Sequence, residues 1–177
     1  MAKDRRKLDS DRYGSLVACA VCQVTPRMLD YWVTTGVIRP AAVFESAYND
    51  RGEKRRRAYH LFGFEELVQI KIVKDLRDAG VSLQRIRFAI ERLREETGNA
   101  WQKAWIATDG KKLYRAMVDP QQVVSLMKRE TGQLVFSIIA VPSACEHVRS
   151  ALRPGDVFRP SQFRGKLLSW EQRTRSA

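Results

Sequence analysis

The chain has 177 residues, with 32 Lys and Arg against 20 Asp and Glu, so its formal net charge at pH 7 is +12. Hydrophobic residues make up 44% of the sequence, which excludes a wholly disordered chain, and the longest apolar run is far shorter than the roughly 20 residues of a membrane helix. Three cysteines are too few for a disulfide framework, and the basic start lacks the apolar segment of a secretory signal. We therefore expect a cytoplasmic protein without a membrane partner, for which nucleic acid is the first partner to consider.

After a polar, basic segment that we interpret as a flexible arm (residues 1–12), two short helices joined by a tight turn are predicted. Residues 15–23 have the composition of a short helix. Thr25 is placed to cap the next helix, and Pro26 suits its first position because proline lacks the amide proton that would be unbonded there. Gly36 supplies a left-handed stop. The second helix carries apolar residues at helical spacing: Met28, Leu29, Trp32 and Val33.

A basic hairpin and a second helical pair follow. Residues 41–48 and 54–60 flank the turn-rich sequence Asn49-Asp50-Arg51-Gly52, which predicts a β-hairpin with a basic second strand. A helix beginning at Phe64 is ended by Gly80, and Ser82 caps the next one. Val81 and Ile86 are spaced as a hydrophobic staple at that cap. Helix-turn-helix, hairpin and helical pair together predict a winged-helix domain over residues 13–97.

The second half of the chain predicts a smaller domain. A hairpin turn at Asp109-Gly110, a helix opened by Asp119-Pro120, a strand near residues 133–141 and a helix near 143–152 give the order β-β-α-β-α. We interpret residues 98–152 as a small α+β dimerisation or sensing domain, and residues 153–177 as a basic, solvated tail. The predicted fold is therefore mostly α, with an N-terminal winged helix-turn-helix followed by a small α+β C-terminal domain.

Several short motifs occur in a fixed order and spacing between residues 14 and 96. They are Thr25-Pro26-Arg27-Met28-Leu29-Asp30-Tyr31-Trp32, Gly36-Val37-Ile38-Arg39-Pro40, Arg57-Ala58-Tyr59, Glu66-Leu67 with Ile70, and Leu76-Arg77-Asp78-Ala79-Gly80-Val81-Ser82-Leu83 with Ile86. In order and spacing this series resembles the MerR-type transcriptional regulators. The resemblance implies a regulator that binds double-stranded DNA, with the helix after Thr25 as the recognition helix and the basic hairpin as the wing.

The resemblance also implies roles for individual residues. Arg27 and Tyr31 would contact phosphates and base edges from the recognition helix, and Thr25 is placed to donate a hydrogen bond to a phosphate. Two positions depart from the family pattern: Asp30 replaces a residue that is commonly basic, and Trp32 replaces a second tyrosine and is either a core residue or a groove contact. The complete set of expected DNA-binding residues is Thr25, Arg27, Tyr31, Trp32, Arg39, Lys54, Arg55, Arg56, Arg57 and Tyr59.

Over a wider span the chain is similar to a narrower group, the actinobacterial FtsR-like regulators linked to cell-division genes. This similarity depends on the sequence Asp30-Tyr31-Trp32 and on a downstream pattern, which consists of Asp109-Gly110, Val123-Val124 and Gly132-Gln133-Leu134-Val135-Phe136. The long dimerisation helix of typical MerR-type proteins is not evident, since the helical pattern stops near Gly98. We expect a nucleoid-associated homodimer on a palindromic promoter site, held together by the C-terminal domain, with RNA polymerase as a candidate partner.

Other functions are weaker hypotheses. Cys19 and Cys22 form a C-x-x-C, but both fall in an apolar helix and no further ligand set accompanies them, so we interpret them as core residues and expect neither metal nor cofactor. No phosphate-binding loop, H-E-x-x-H or G-x-S-x-G motif is present, which argues against an enzyme. Two alternatives stay open: an excisionase-like module that shapes DNA at recombination sites, and an RNA- or ribosome-associated basic protein.

Overall fold

A computed structural model of the chain describes residues 11–46, 57–87, 105–108, 113–116, 137–159, 165–169 and 172. In chain order the elements are β1 (Tyr13–Gly14), α1 (Ser15–Cys22), α2 (Pro26–Thr34), β2 (Ala42–Ser46), β3 (Arg57–Phe62), α3 (Phe64–Asp78), β4 (Trp105–Thr108), β5 (Leu113–Ala116), β6 (Ser137–Ala140), α4 (Val141–Ala151), a 3-10 turn (Pro154–Asp156) and β7 (Gly165–Ser169). The fold is mostly helical with small antiparallel sheets, and it divides into two compact units, residues 1–70 with 151–177 and residues 71–150.

The helical elements of the first unit follow the predicted order, and local signals explain their ends. The Thr25 hydroxyl accepts a hydrogen bond from the Met28 amide at 3.2 Å, which caps α2. Gly36 follows α2 with a positive φ of 74°, as predicted for its left-handed stop. At the start of α3 the Gly63 amide donates to the Glu66 carboxylate at 2.8 Å, an N-terminal capping contact that the sequence analysis did not identify.

The first unit contains a four-stranded antiparallel sheet in the order β1-β3-β2-β7. The predicted hairpin is present as β2 and β3, with Phe44 opposite Tyr59 and Ala42 opposite Leu61. The turn between these strands lies outside the described residues. The largest fully buried side chains include Tyr13, Trp32, Phe44, Phe62 and Leu61, so the core lies between the two short helices, α3 and this sheet.

Part of the C-terminal segment that we interpret as a solvated tail forms a strand, of which four of the five residues are exposed. β7 pairs along the whole of β2, from Ala42 opposite Ser169 to Ser46 opposite Gly165. Upstream, Val157 forms an isolated bridge with Tyr13. Pairing with β2 gives the backbone groups of β7 hydrogen-bond partners within the sheet. The charge and glycine content of this segment do not predict a partner so distant in the chain.

The second unit contains a three-stranded antiparallel sheet in the order β5-β4-β6, followed by α4. The predicted hairpin of residues 105–116, the strand before residue 141 and the final helix are all present. Gly80 has a φ of +84°, as expected of the residue that ends α3, and Val81 and Ile86 are both buried as the staple requires. Residues 83–87 are helical, whereas the predicted helix near 120–132 and the predicted helix end near Gly98 lie outside the described residues.

The predicted domain limits at residues 97 and 152 differ from the compact units, which divide after residues 70 and 150. The assignment of residues 98–152 to one α+β domain therefore stays a prediction. Within the described part of the chain, no helix combines the length and the apolar composition needed to cross a bilayer.

Candidate nucleic-acid interface

The turn between α1 and α2 sets the geometry of the helix-turn-helix. Gln23 adopts the left-handed conformation at φ 57°, ψ 43°, and the Val24 amide donates to the Cys19 carbonyl at 3.0 Å. This hydrogen bond is typical of a Schellman motif, in which a single left-handed residue ends the helix. Here that residue is Gln23, and α2 begins three residues later. Cys19 and Val24 are both buried, supplying the apolar contact that accompanies such a turn.

The cysteines of α1 are core residues, as interpreted from the sequence. Cys19 and Cys22 are buried and unbonded to each other, and burial raises the pKa of the Cys19 thiol. The Cys22 thiol donates to the Leu67 carbonyl at 3.2 Å, which joins α1 to α3. Both thiols are therefore buried, and neither is presented at the surface of α1.

The helix α2 has one buried and one exposed face. Leu29, Trp32 and Val33 are buried, at the i, i+3, i+4 spacing of a core-facing stripe. The opposite face, which we call the α2 face, is exposed and consists of Arg27, Asp30, Tyr31 and Thr34. These four positions also follow helical spacing, so their side chains project on one side. The α2 face joins a cation, an aromatic hydroxyl and a small hydroxyl, which are groups that bind phosphates and base edges.

The structure corrects the assignment of Trp32 to the DNA-binding set. Trp32 is 2% exposed whereas its neighbour Tyr31 is 57% exposed. Because consecutive helical residues are separated by about 100° around the axis, the two rings lie on different faces. The spacing of Trp32 from Leu29 and Val33 was the signal for burial. Thr34 was missed, although it follows Tyr31 by three residues on the same face.

The other expected DNA-binding residues are placed less completely. Thr25 is exposed at the start of α2, and Arg39 is exposed in the segment after α2, beyond the helix end at Thr34. Tyr59 is half-buried in β3, with its ring 6.5 Å from that of Phe44. Lys54, Arg55 and Arg56 lie outside the described residues, and for Arg57 only the backbone position in β3 is described. The structure thus brings Thr25, Arg27 and Tyr31 together on one helix.

An acidic residue interrupts the α2 face. Asp30 is exposed, and among the described residues none forms an ion pair with it. Its carboxylate repels phosphates but can accept a hydrogen bond from the cytosine amino group in the major groove. Asp30 is therefore better suited to select a base than to add affinity.

Two short helices, a tight turn and a following hairpin define the winged helix-turn-helix class. Comparison with known proteins gives the family: residues 17–93 match the model of the MerR HTH family regulatory proteins. The chain therefore contains a helix-turn-helix domain of the MerR family, which confirms the resemblance seen in the sequence.

Relatives of known sequence extend this similarity beyond the domain. The chain is 32% identical over 126 residues to a protein of Mycobacterium bovis named as an uncharacterized HTH-type transcriptional regulator. The same identity and length hold for proteins of that description from two strains of Mycobacterium tuberculosis. The alignment covers 71% of this chain and 51% of each relative, so the chain spans about half the length of these relatives. The narrower similarity to FtsR-like regulators stays a prediction.

Proposed function

We propose that this protein is a transcriptional regulator that binds double-stranded DNA through α2 and the β2–β3 wing. The observation that carries the proposal is the α2 face, because Arg27, Tyr31 and Thr34 are exposed side by side while Leu29, Trp32 and Val33 anchor the helix from behind. An α-helix fits the major groove of B-form DNA, and a rigidly held helix presents its side chains in a fixed register to the base edges.

The proposed docking divides the contacts into two kinds. Arg27 and Tyr31 contact base edges and the flanking phosphates, and Asp30 and Thr34 beside them contact base edges only. Thr25 binds a phosphate at the start of α2, since a hydroxyl that accepts the cap bond can still donate its own proton. Arg39 binds a phosphate from the exposed segment that follows the helix. Lys54, Arg55, Arg56 and Arg57 in the wing, with Tyr59, bind the backbone and supply affinity through counterion release.

The protein acts in this proposal as a cytoplasmic, nucleoid-associated homodimer on a palindromic promoter site. Helix-turn-helix dimers match the twofold symmetry of their operators, and a second module is available for dimerisation in the sheet β5-β4-β6 and α4. A promoter site also makes RNA polymerase a candidate partner. The names of the family and the relatives describe regulators, and no enzymatic step is part of the proposal.

The proposal is tested by selecting sheared genomic DNA with the purified protein at near-physiological salt and sequencing what is retained. We expect enrichment of an inverted repeat at promoters. Uniform recovery without a motif would contradict specific binding. Enrichment confined to recombination sites, with the DNA bent on binding, would instead support the excisionase-like alternative.

Single substitutions then connect the enriched site to α2. Arg27→Ala and Tyr31→Ala should each weaken binding to that site by about 1–3 kcal/mol and affect random duplex less. Arg149→Ala is the control, because it removes the same charge from an exposed helical position outside the proposed interface. Equal losses for Arg27→Ala and Arg149→Ala would mean that net charge, and not the α2 face, determines binding.

A further inference from the structure

The ring of Phe44, in the wing strand β2, is contacted by one ring from the neighbouring strand β3 and by one from the C-terminal part of the chain. Phe44 is 1% exposed. Its ring lies 5.3 Å from that of Phe158, at an interplanar angle of 60°, and 6.5 Å from that of Tyr59 at 47°. Both are within the range of favourable aromatic contacts. Phe158 and Tyr59 thus flank one buried ring, although almost a hundred residues separate them in the chain.

The strand β7 pairs with the edge of β2, and its first residue, Gly165, lies beside the Phe44 ring. Gly165 lies opposite Ser46, and a methyl group added at Gly165 would be 2.6 Å from Cζ of Phe44 and would also collide with the Glu45 carbonyl. Only glycine leaves room for Phe44 at this position. Glu45 and Lys166 are register partners, and opposite charges directly across a strand pair favour this register.

The C-terminal segment is also attached to β1, at the other side of the sheet. Val157 bridges Tyr13, and the Phe158 amide donates to the Arg12 carbonyl at 2.6 Å. We give the name C-terminal clasp to Val157 and Phe158 together with residues 165–169, whose described contacts are with β1 and with β2. The wing strands lie between these contacts in the sheet order β1-β3-β2-β7.

We propose that the C-terminal clasp is a positioning element of the DNA-binding wing, with Phe158 and Gly165 as the residues through which it acts. The inference rests on the proposed function and adds to it a requirement for residues far outside the helix-turn-helix. Lys54, Arg55 and Arg56 are joined covalently to β3, and Tyr59 is part of it. Fixing β2 and β3 therefore restricts where the wing cations can be when a duplex is bound, which lowers the entropy lost on binding.

The structure offers a matched pair of substitutions for the first test. Gly165→Ala places a methyl group against Phe44, whereas Gly155→Ala adds the same methyl group in the 3-10 turn just before the clasp, with nothing within 4 Å. In full-length protein, we expect Gly165→Ala and Phe158→Ala to accelerate amide exchange in β2 and β3 and to leave exchange in α1 and α2 unchanged. Gly155→Ala and Phe158→Tyr should behave as the unsubstituted protein, because neither removes the aromatic contact.

The same variants are titrated with a labelled duplex of random sequence. Gly165→Ala and Phe158→Ala should raise Kd about tenfold and reduce the dependence of log K on log salt, as expected when wing phosphate contacts are lost. A merely structural role would reduce the folded fraction without changing the salt slope of the protein that remains folded. Unchanged exchange in β2 and β3, or an unchanged salt slope, would overturn the inference.

A double-mutant cycle separates positioning from general weakening. Phe158→Ala combined with Arg55→Ala and Arg56→Ala should cost less than the sum of the separate losses, because a displaced wing has already lost those contacts. Phe158→Ala combined with Arg27→Ala should be additive, and equal coupling in the two cycles would overturn the inference. If the unsubstituted protein binds no duplex, the proposed function and this inference both fail. If Arg27→Ala weakens duplex binding and Phe158→Ala does not, the inference fails and the proposed function stands.

Discussion

Tyr31 and Trp32 are adjacent in sequence and lie on opposite faces of α2: the tyrosine is 57% exposed and the tryptophan 2% exposed. The pair separates the two tasks of this helix. Trp32 fixes the helix to the core with Leu29 and Val33, and Tyr31 belongs to the surface that we propose to contact DNA. Substitutions at these neighbouring positions should therefore have different consequences.

Trp32→Ala should lower the free energy of unfolding by about 3–5 kcal/mol, the range for removing a large buried ring. Tyr31→Ala should change it by about 0.5 kcal/mol or less, because more than half of that residue is exposed. Chemical denaturation followed by circular dichroism measures both. A similar loss of stability for the two variants would show that Tyr31 is also a core residue.

Gln23 should be replaceable by glycine with a gain in stability. Its φ of 57° is a left-handed conformation that favours glycine, and its side chain is exposed, so little contact is lost. Gln23→Gly should be more stable than Gln23→Ala by about 1 kcal/mol. Thermal melts of the two variants provide the comparison, and a more stable alanine variant would contradict the left-handed turn.

Thr25→Ala should lower the free energy of unfolding by about 1 kcal/mol, because the hydroxyl that accepts the Met28 amide is removed. Thr25→Ser keeps the oxygen and serves as the control. Urea denaturation measures both variants. A serine variant as unstable as the alanine variant would show that the methyl group, and not the cap, accounts for the loss.

Arg55→Ala combined with Arg56→Ala should weaken binding to all duplexes to a similar degree. If each arginine neutralises one phosphate, the slope of log K against log salt should fall in magnitude by about 1.8. Titrations of specific and random duplexes over a series of salt concentrations measure this slope. A loss confined to the specific duplex would assign these arginines to base recognition instead.

Tyr13 should ionise late in the folded protein. Burial, and then the charges of Asp11 and Asp156, raise its pKa from 10.0 to about 12. The native state therefore holds this proton more tightly than the unfolded chain does. The associated stabilisation is complete below pH 10 and is lost as the pH rises from about 10 to about 12.

Absorbance at alkaline pH follows this ionisation directly. The chain has five tyrosines, and Tyr13→Phe should remove the ionisation near pH 12. Denaturation on both sides of pH 10 should show that the decline in stability with rising pH is smaller in Tyr13→Phe. An unchanged late titration in the variant would assign it to another tyrosine.

The order of elements around α2 could be read from the chain because its signals are local. Thr25-Pro26 opens the helix and Gly36 ends it through the hydrogen bonds and φ preferences of those residues themselves. The β2–β3 hairpin and the α3 stop at Gly80 follow for the same reason. Even the burial of Trp32 was available in its spacing from Leu29 and Val33, since helical periodicity depends only on sequence separation.

The C-terminal clasp required the tertiary structure. The sequence of residues 165–169 does not indicate that β2 is their partner, because strand pairing joins groups that are distant in the chain. The pairing depends on which strand edge is unpaired and on the space that neighbouring side chains leave. In the sequence Gly165 only interrupts a basic tail, whereas in the structure it leaves the space that the Phe44 ring occupies. The sequence by itself therefore determined the helix-turn-helix, and only the packing of distant segments decided what supports the wing.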